Sequence, residues 1–245
     1  MDIRVLENSQ TLGKAAAEEG GKLIRQALDS QEEISIVLAT GTSQFEMLRH
    51  LVKQDIDWSR VHIFHLDEYI GLGEDHPASF RKYIRERFAD KVTALKSVTY
   101  INGDAEDIDN ELGRLNKAIS RQRVEVAFIG IGENAHIAFN DPPANFDIDR
   151  PYIRVKLDEE CRHQQLGEGW FHSLAEVPEF AISMSVRQIM RAEHIICSVP
   201  EKRKASAVKS SVEGTVNNIY PASILQEHAH CTLFLDKGSA LLMGT

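Results

Sequence analysis

Cysteine is scarce in this chain: Cys161, Cys197 and Cys231 are the only three among 245 residues. They are too few and too scattered for a disulfide framework or a zinc ribbon. They read as reduced thiols of a cytoplasmic protein. Long apolar runs are also missing. None approaches the ~20 residues that span a bilayer, so no membrane partner is expected. The opening segment, Met1 to Gln10, has no basic stretch followed by an apolar core, which argues against a secretory leader. Basic residues are outnumbered, 28 Lys and Arg against 37 Asp and Glu, for a formal charge of −9 with His neutral. Nucleic acid, whose recognition needs a basic face, is therefore not an expected partner. Repeats, low-complexity tracts and linkers are absent, so residues 1–245 read as a single domain. Hydrophobic residues at 42% and charged residues at 27% leave no room for disorder as the dominant state.

What is present is an alternation of short apolar runs with helical-period segments. A first strand ends between Val5 and Asn8. From Ser9 to Leu28, the residues Leu12, Ala15, Ala16, Leu23, Ile24 and Leu28 recur at helical spacing. Strands are expected at Ile34–Leu38, Val61–Leu66, Val98–Ile101, Val124–Ile129, Ile153–Leu157, Ala181–Val186, His194–Val199 and Cys231–Leu235. Helices are expected at Gln44–Lys53, Pro77–Phe88, Asp107–Arg121 and Glu201–Val212. Such alternation predicts an α/β fold, Rossmann-like and doubly wound, with a mostly parallel sheet covered by helices on both faces. Asn140–Ile148 and Glu159–Val177 show no periodicity. The second contains Gly167 and Gly169 and fits either a mobile lid within residues 158–178 or an ordinary surface excursion.

Ligands of such sheets bind beyond the carboxyl ends of the strands. Ala39-Thr40-Gly41-Thr42-Ser43 is a small hydroxylated loop between a strand and a helix. It suits either an anion or a plain helix N-cap. It is not a P-loop, because the Gly-Lys-Ser/Thr ending is missing. In His65-Leu66-Asp67-Glu68-Tyr69, two adjacent acids leave a strand end, and alternation lets at most one face a given pocket. A carboxylate withdrawn from water becomes a stronger base and can shuttle protons; a solvated loop acid is the alternative. In the run from Gly130 to Pro142, Gly130 and Gly132 permit close approach to a ligand. His136, bracketed by Asn134 and Asp141, is either a proton carrier or a core histidine satisfied by backbone. Lys202-Arg203-Lys204 opens a helix, where cations oppose the macrodipole unless an anion is held there. The histidine pairs His62/His65 and His228/His230 have no metal-ligand logic, and no metal site is expected.

At these loops the chain resembles the glucosamine-6-phosphate deaminase/isomerase family. The likeness is carried by Leu66-Asp67-Glu68-Tyr69-Ile70-Gly71-Leu72 with His76-Pro77-Ala78-Ser79, and by Gly130-x-Gly132-x-Asn134-x-His136-Ile137-Ala138-Phe139-Asn140-Asp141-Pro142. Ala39–Ser43, Lys204 and Glu213-Gly214-x-Val216-Asn217 support it. The resemblance covers nearly the whole chain in the family's order. It implies an enzyme that converts an amino-sugar 6-phosphate and water into a ketose 6-phosphate and ammonia, without metal or organic cofactor. Asp67 would move the C2 proton to C1. His136 would assist ring opening, Asp141 would orient it, and Asn134 would position the sugar hydroxyls. Thr40, Gly41, Thr42, Ser43 and Lys204 would hold the 6-phosphate. Related lactonases usually carry Ser-Leu-Phe-Pro where this chain has Ala138-Phe139-Asn140-Asp141-Pro142. Sugar-phosphate sensor domains of transcription regulators usually carry a DNA-binding module, and nothing before Ile34 is long or basic enough for one. The galactosamine isomer of the substrate stays open, as does the choice between monomer and homo-oligomer.

Four departures from the family pattern stand out. Asn134 occupies a place where some members have Asp. Asp141 stands where Glu is usual, one methylene shorter. Phe80 replaces a common Tyr. The lid stretch Arg162–Phe171 has no Arg where the family clamps phosphate, leaving Arg162, Gln164 or Gln165 as replacements. The longer C-terminal tail of allosteric members is not present after Leu235, so allostery is not expected.

Overall fold

The computed structural model describes residues 1–244. In chain order its elements are β1 (Asp2–Leu6), α1 (Ser9–Ser30), β2 (Ile34–Leu38), α2 (Phe45–Leu51), β3 (Val61–His65), β4 (Asp67–Tyr69) and α3 (Phe80–Arg87). These are followed by β5 (Ser97–Thr99), α4 (Ile108–Ile119), β6 (Val124–Ile129), β7 (Tyr152–Lys156), α5 (Glu159–Gly167) and β8 (Phe180–Met184). The chain closes with α6 (Val186–Ile189), β9 (His194–Val199), α7 (Ala205–Glu213) and β10 (Cys231–Asp236).

Seven strands form one parallel sheet in the order β1-β10-β9-β6-β2-β3-β5. The central strands β2 and β6 are buried at every residue, which is why they read as unbroken apolar runs. Strand alternation divides their side chains between two cores. Ile36, Leu38, Val126 and Phe128 pack with Leu12, Ala16 and Ile24 of α1 and Met47 of α2. Val37, Ala127 and Ile129 pack with Leu115 and Ile119 of α4 and Val208 of α7 on the other face. Local signals set the helix starts. Asn8 caps α1 and forms a reciprocal box with Thr11, which ends the first strand at Leu6. Ser79 caps α3, so that helix begins at Phe80 and not at Pro77.

Two expectations need correction. The strands expected near 153–157 and 181–186 do not join the parallel sheet. With β4 they form a second, antiparallel sheet in the order β4-β8-β7. The stretch from Glu159, read as irregular, begins with the helix α5, capped by the Asp158 carboxylate. Polar residues fill its sequence, and only Cys161 and Gln165 are buried, so no apolar period could show.

The order of the main sheet reverses between β2 and β6. From β2 the chain builds outward through β3 to β5; from β6 it builds the other way through β9 to β10, which pairs with the first strand, β1, at the edge. The loops leaving β2 and β6 therefore diverge at their carboxyl ends, and a crevice opens there. The small sheet lies over this end: Met184 N–H donates to Leu66 O, and the Tyr152 hydroxyl donates to His65 O.

Candidate active site

The crevice holds a cavity lined by the β2 loop, Asp67, Phe80, Gly130–Gly132, His136, Phe139, Gln164, Gln165, Glu168, Arg203 and Lys204. Six separate segments of sequence thus meet at one place. Of the expected residues, Thr40, Gly41, Thr42, Ser43, Asp67, Gly130, Gly132, His136 and Lys204 line it. Asn134 and Asp141 do not; they stand behind His136.

The β2 loop is held by Gln44, whose buried side-chain amide donates to the carbonyls of Ile129 and Ser198 at the ends of β6 and β9. Gly41 turns the chain at φ 94°, where a side chain would be strained. Its carbonyl accepts from the Tyr83 hydroxyl at 2.9 Å. Across the cavity Lys204 is 3% exposed, and among the described residues no carboxylate lies within 4 Å of its ammonium. Burial, with Arg203 beside it, lowers its pKa to about 8. An unpaired, buried cation beside a hydroxylated loop is a receptor for an anion.

Asp67 opens β4 and pairs with Ser183 of β8, so the small sheet fixes its place. It is buried, and no cation reaches within 4 Å of its carboxylate among the described residues. Burial first, then the nearby Glu68 and Glu168, push its pKa well above the usual carboxylate range. Its neighbour Glu68 points the other way. It accepts from the backbone N–H of Tyr69, Phe80 and Arg81 and from the Ser79 hydroxyl, holding the start of α3. Alternation therefore separates a proton-transfer candidate from a structural acid.

His136 lies on a loop of tight turns. Ala135 and Ala138 on either side have φ of 67° and 50°. A Cβ at Gly132 would lie 2.2 Å from the imidazole, so only glycine admits the ring at this place. Nδ1 stands 3.1 Å from Asp141 Oδ1, but the carboxylate lies off the N–H direction and Nδ1 has no aligned hydrogen bond. Burial works against the ionised Asp141, yet His136, the Asp158 N–H and the Asn134 amide hold its pKa below the usual range.

The Asn134 side chain is committed to protein at both ends. Its Oδ1 accepts from His136 N–H, and its Nδ2 donates to Asp141 Oδ1 and Asp158 Oδ2. These bonds brace the His136 loop against the start of α5, and Asn134 does not line the cavity itself. Phe80, where a Tyr was noted as common, stacks on Phe139 with ring centres 5.8 Å apart and closes the cavity wall.

The candidates for the missing lid arginine separate clearly. Arg162 turns away and donates to the carbonyls of Leu174 and Val177. Gln164 and Gln165 line the cavity; their side-chain oxygens accept from Glu133 N–H and the Tyr69 hydroxyl. The guanidinium at this end is Arg203, paired with Glu133 and Glu201 and within 3.4 Å of Thr42 Oγ1. Sequence reading passed over Arg203 and Glu168. The basic run Lys202–Lys204 held the signal for the first; a polar helix end gave none for the second.

Among the described residues, two groups of side chains bring metal-type donors within 4.8 Å of one another: His136, Asp141 and Cys161, and Glu193, His194 and His230. In the first, burial pushes the Cys161 thiol well above its ordinary pKa, which favours the protonated form over a thiolate ligand. In the second, Glu193 is engaged by Arg123 at 2.6 Å. Neither is built as a metal centre.

Known proteins agree with this geometry. The family described as glucosamine-6-phosphate isomerases/6-phosphogluconolactonase matches residues 7–234. A glucosamine-6-phosphate deaminase of Lacticaseibacillus paracasei is 33% identical over 243 residues, covering 98% of both chains. One of Clostridium acetobutylicum is 33% identical over 250 residues, covering 99% of this chain and all of its own. Among solved structures, a monomeric glucosamine-6-phosphate deaminase superposes with a TM-score of 0.88 at 27% identity, covering 99% of this chain and 100% of its own. A 6-phosphogluconolactonase of Thermotoga maritima shares the fold, with a TM-score of 0.79 at 17% identity over 96% of this chain and 99% of its own. With sheet order, site loops and full-length similarity in accord, the chain belongs to the family of glucosamine-6-phosphate isomerases and 6-phosphogluconolactonases.

Proposed function

We propose that this enzyme converts glucosamine 6-phosphate and water into fructose 6-phosphate and ammonia. The observation that carries this reading is that one cavity is lined both by an anion receptor and by proton-transfer groups. An unpaired buried cation, Lys204, and the hydroxylated loop line it, together with Asp67, a carboxylate of raised basicity, and His136. A substrate with a phosphate and a reacting carbon several bonds away fits that lining.

In this reading Thr40, Gly41, Thr42, Ser43 and Lys204 bind the 6-phosphate, and Gly130 and Gly132 let the sugar lie against the backbone. His136 moves a proton to the ring oxygen as the sugar opens, and Asp141 and Asn134 orient it. Asp67 removes the C2 proton, which the aldehyde has acidified, and returns it to C1. The C2–H electron pair passes through a C1–C2 double bond, leaving an imine at C2. Water adds there and ammonia leaves. A raised pKa suits Asp67 to keep the proton between the two transfers. We further propose that residues 1–245 act as a single domain with residues 158–178 as its lid. The three buried free thiols suit a reducing cytoplasm.

The test is an assay of ammonia release from glucosamine 6-phosphate and galactosamine 6-phosphate, beside acid release from 6-phosphogluconolactone. Ammonia from the glucosamine isomer is expected. Acid from the lactone without ammonia from either sugar would overturn the proposal, as would tight binding of the sugar phosphates with no turnover.

A further inference from the structure

The lid brings a carboxylate of its own into the anion end of the cavity. Glu168 is the C-cap residue of α5, and its side chain reaches down over the β2 loop. Its two carboxylate oxygens lie 3.7 and 3.9 Å from the position a Cβ would take on Gly41. Burial raises its pKa, against the opposing pull of Lys204 and Arg203 as neighbouring positive charges and of the Gln164 side chain and Thr42 amide turned toward it. Among the described residues Glu168 makes no ion pair within 4 Å, and neither does Lys204. Arg203, by contrast, is already neutralised by Glu133 and Glu201. One carboxyl group without an ion-pair partner therefore stands beside one unpaired cation at the place where an anionic ligand would bind.

A phosphate dianion and an ionised carboxylate cannot share this place without strong like-charge repulsion in a poorly solvated setting. Resting on the sugar-phosphate reading, we propose that Glu168 is an affinity-determining residue that competes internally with the phosphate end of the substrate. It sits at the anion end when no ligand is bound and leaves with the lid when phosphate enters. The neighbouring Trp170 makes this movement visible. It is half-buried in the lid, and the only other tryptophan, Trp58, belongs to the core under α1.

The experiment titrates inorganic phosphate into the wild type, Glu168→Gln and Glu168→Ala, by calorimetry and by tryptophan fluorescence. KM for glucosamine 6-phosphate is measured in parallel. Both variants should bind phosphate about tenfold more tightly, within the usual range of coupling between sites, and KM should fall in step. Phosphate should change the Trp170 signal in the wild type and change it less in the variants, whose lid is already released. Unchanged affinity in both variants would overturn the inference. So would weaker binding by Glu168→Ala alone, which would make Glu168 a protonated hydrogen-bond donor to the phosphate. In those cases wild-type turnover of the amino sugar would still stand. Absence of phosphate binding and of turnover in all three proteins would instead remove the underlying site reading, and this inference with it.

Discussion

His136 Nδ1 and Asp141 Oδ1 stand 3.1 Å apart, close enough for an ion pair but with the carboxylate off the line of the ring N–H. The shorter side chain at position 141 does reach the imidazole, but it reaches from the side. Asp141 spends its other oxygen on the Asp158 N–H, which anchors it. The pair can hold the imidazole in place without fixing its direction as firmly as an aligned bond would.

Asp141→Asn should therefore slow turnover of the cyclic substrate by roughly 10–10²-fold, at the lower end for loss of acid–base assistance. Hydrogen exchange at C1 of fructose 6-phosphate, which passes through the open chain, should fall much less. Parallel steady-state and NMR exchange measurements give the comparison. Equal losses in both would assign Asp141 to holding the loop together and not to ring opening.

Asp67→Asn removes the base but keeps the shape. Phosphate affinity should remain within a few-fold of the wild type, while ammonia release falls by roughly 10²–10⁴-fold. Solvent exchange at C1 of the ketose should disappear with it. A variant that keeps normal exchange would show that another group moves the C2 proton.

Lys204 is expected to set an upper pH limit on phosphate binding. Its pKa is lowered to about 8, so its charge is present below that value and lost above it. Inhibition by inorganic phosphate, which has no titrating amine, should weaken about tenfold per pH unit above that value. Lys204→Arg keeps its charge throughout and should lose this limb even if it binds less tightly. A limb that persists in the arginine variant would trace to a different group.

His65 predicts a pH effect on stability. It is fully buried, neither ring nitrogen has a hydrogen-bond partner among the described residues, and burial with Arg81 nearby lowers its pKa to about 3. The unfolded chain takes up a proton at about 6.5, so acid favours unfolding between those two values. Glu68 acts in the opposite sense. Its pKa is raised by burial to about 7, so the folded state gains from the proton as pH falls through that range. The difference between the wild type and His65→Asn isolates the histidine. Urea unfolding should show the variant gaining on the wild type as pH drops, approaching about 1.4 kcal/mol per unit below about pH 6. A pH-independent difference would mean that the folded protein accommodates the imidazolium.

The central strands Ile34–Leu38 and Val124–Ile129 were legible because burial on both faces writes an unbroken apolar run. The partition of strands between two sheets was not. Periodicity reports that 152–156 and 180–184 are extended and says nothing of their partners. The site's glycines, His136 and Asp67 were legible because they are unusual residues at strand ends. The bracing bonds of Asn134 were not legible, because sequence shows that an amide is near the site, not which way it faces. Glu168 was illegible because a carboxylate at the exposed end of a polar helix looks like any solvated acid until the fold turns it inward.

The reversal of strand order between β2 and β6 also bears on how the protein folds. The two strands are joined through α2, β3, β4, α3, β5 and α4, so their pairing closes a loop of some eighty-five residues. Loop closure of that length delays the contact relative to local pairing, even though its extra entropic cost grows only slowly. The cavity exists only after β2 and β6 have met and β9 has joined them. Ligand binding during refolding should therefore appear with the slowest phase that builds the sheet, and earlier intermediates, however helical, should have no affinity for phosphate.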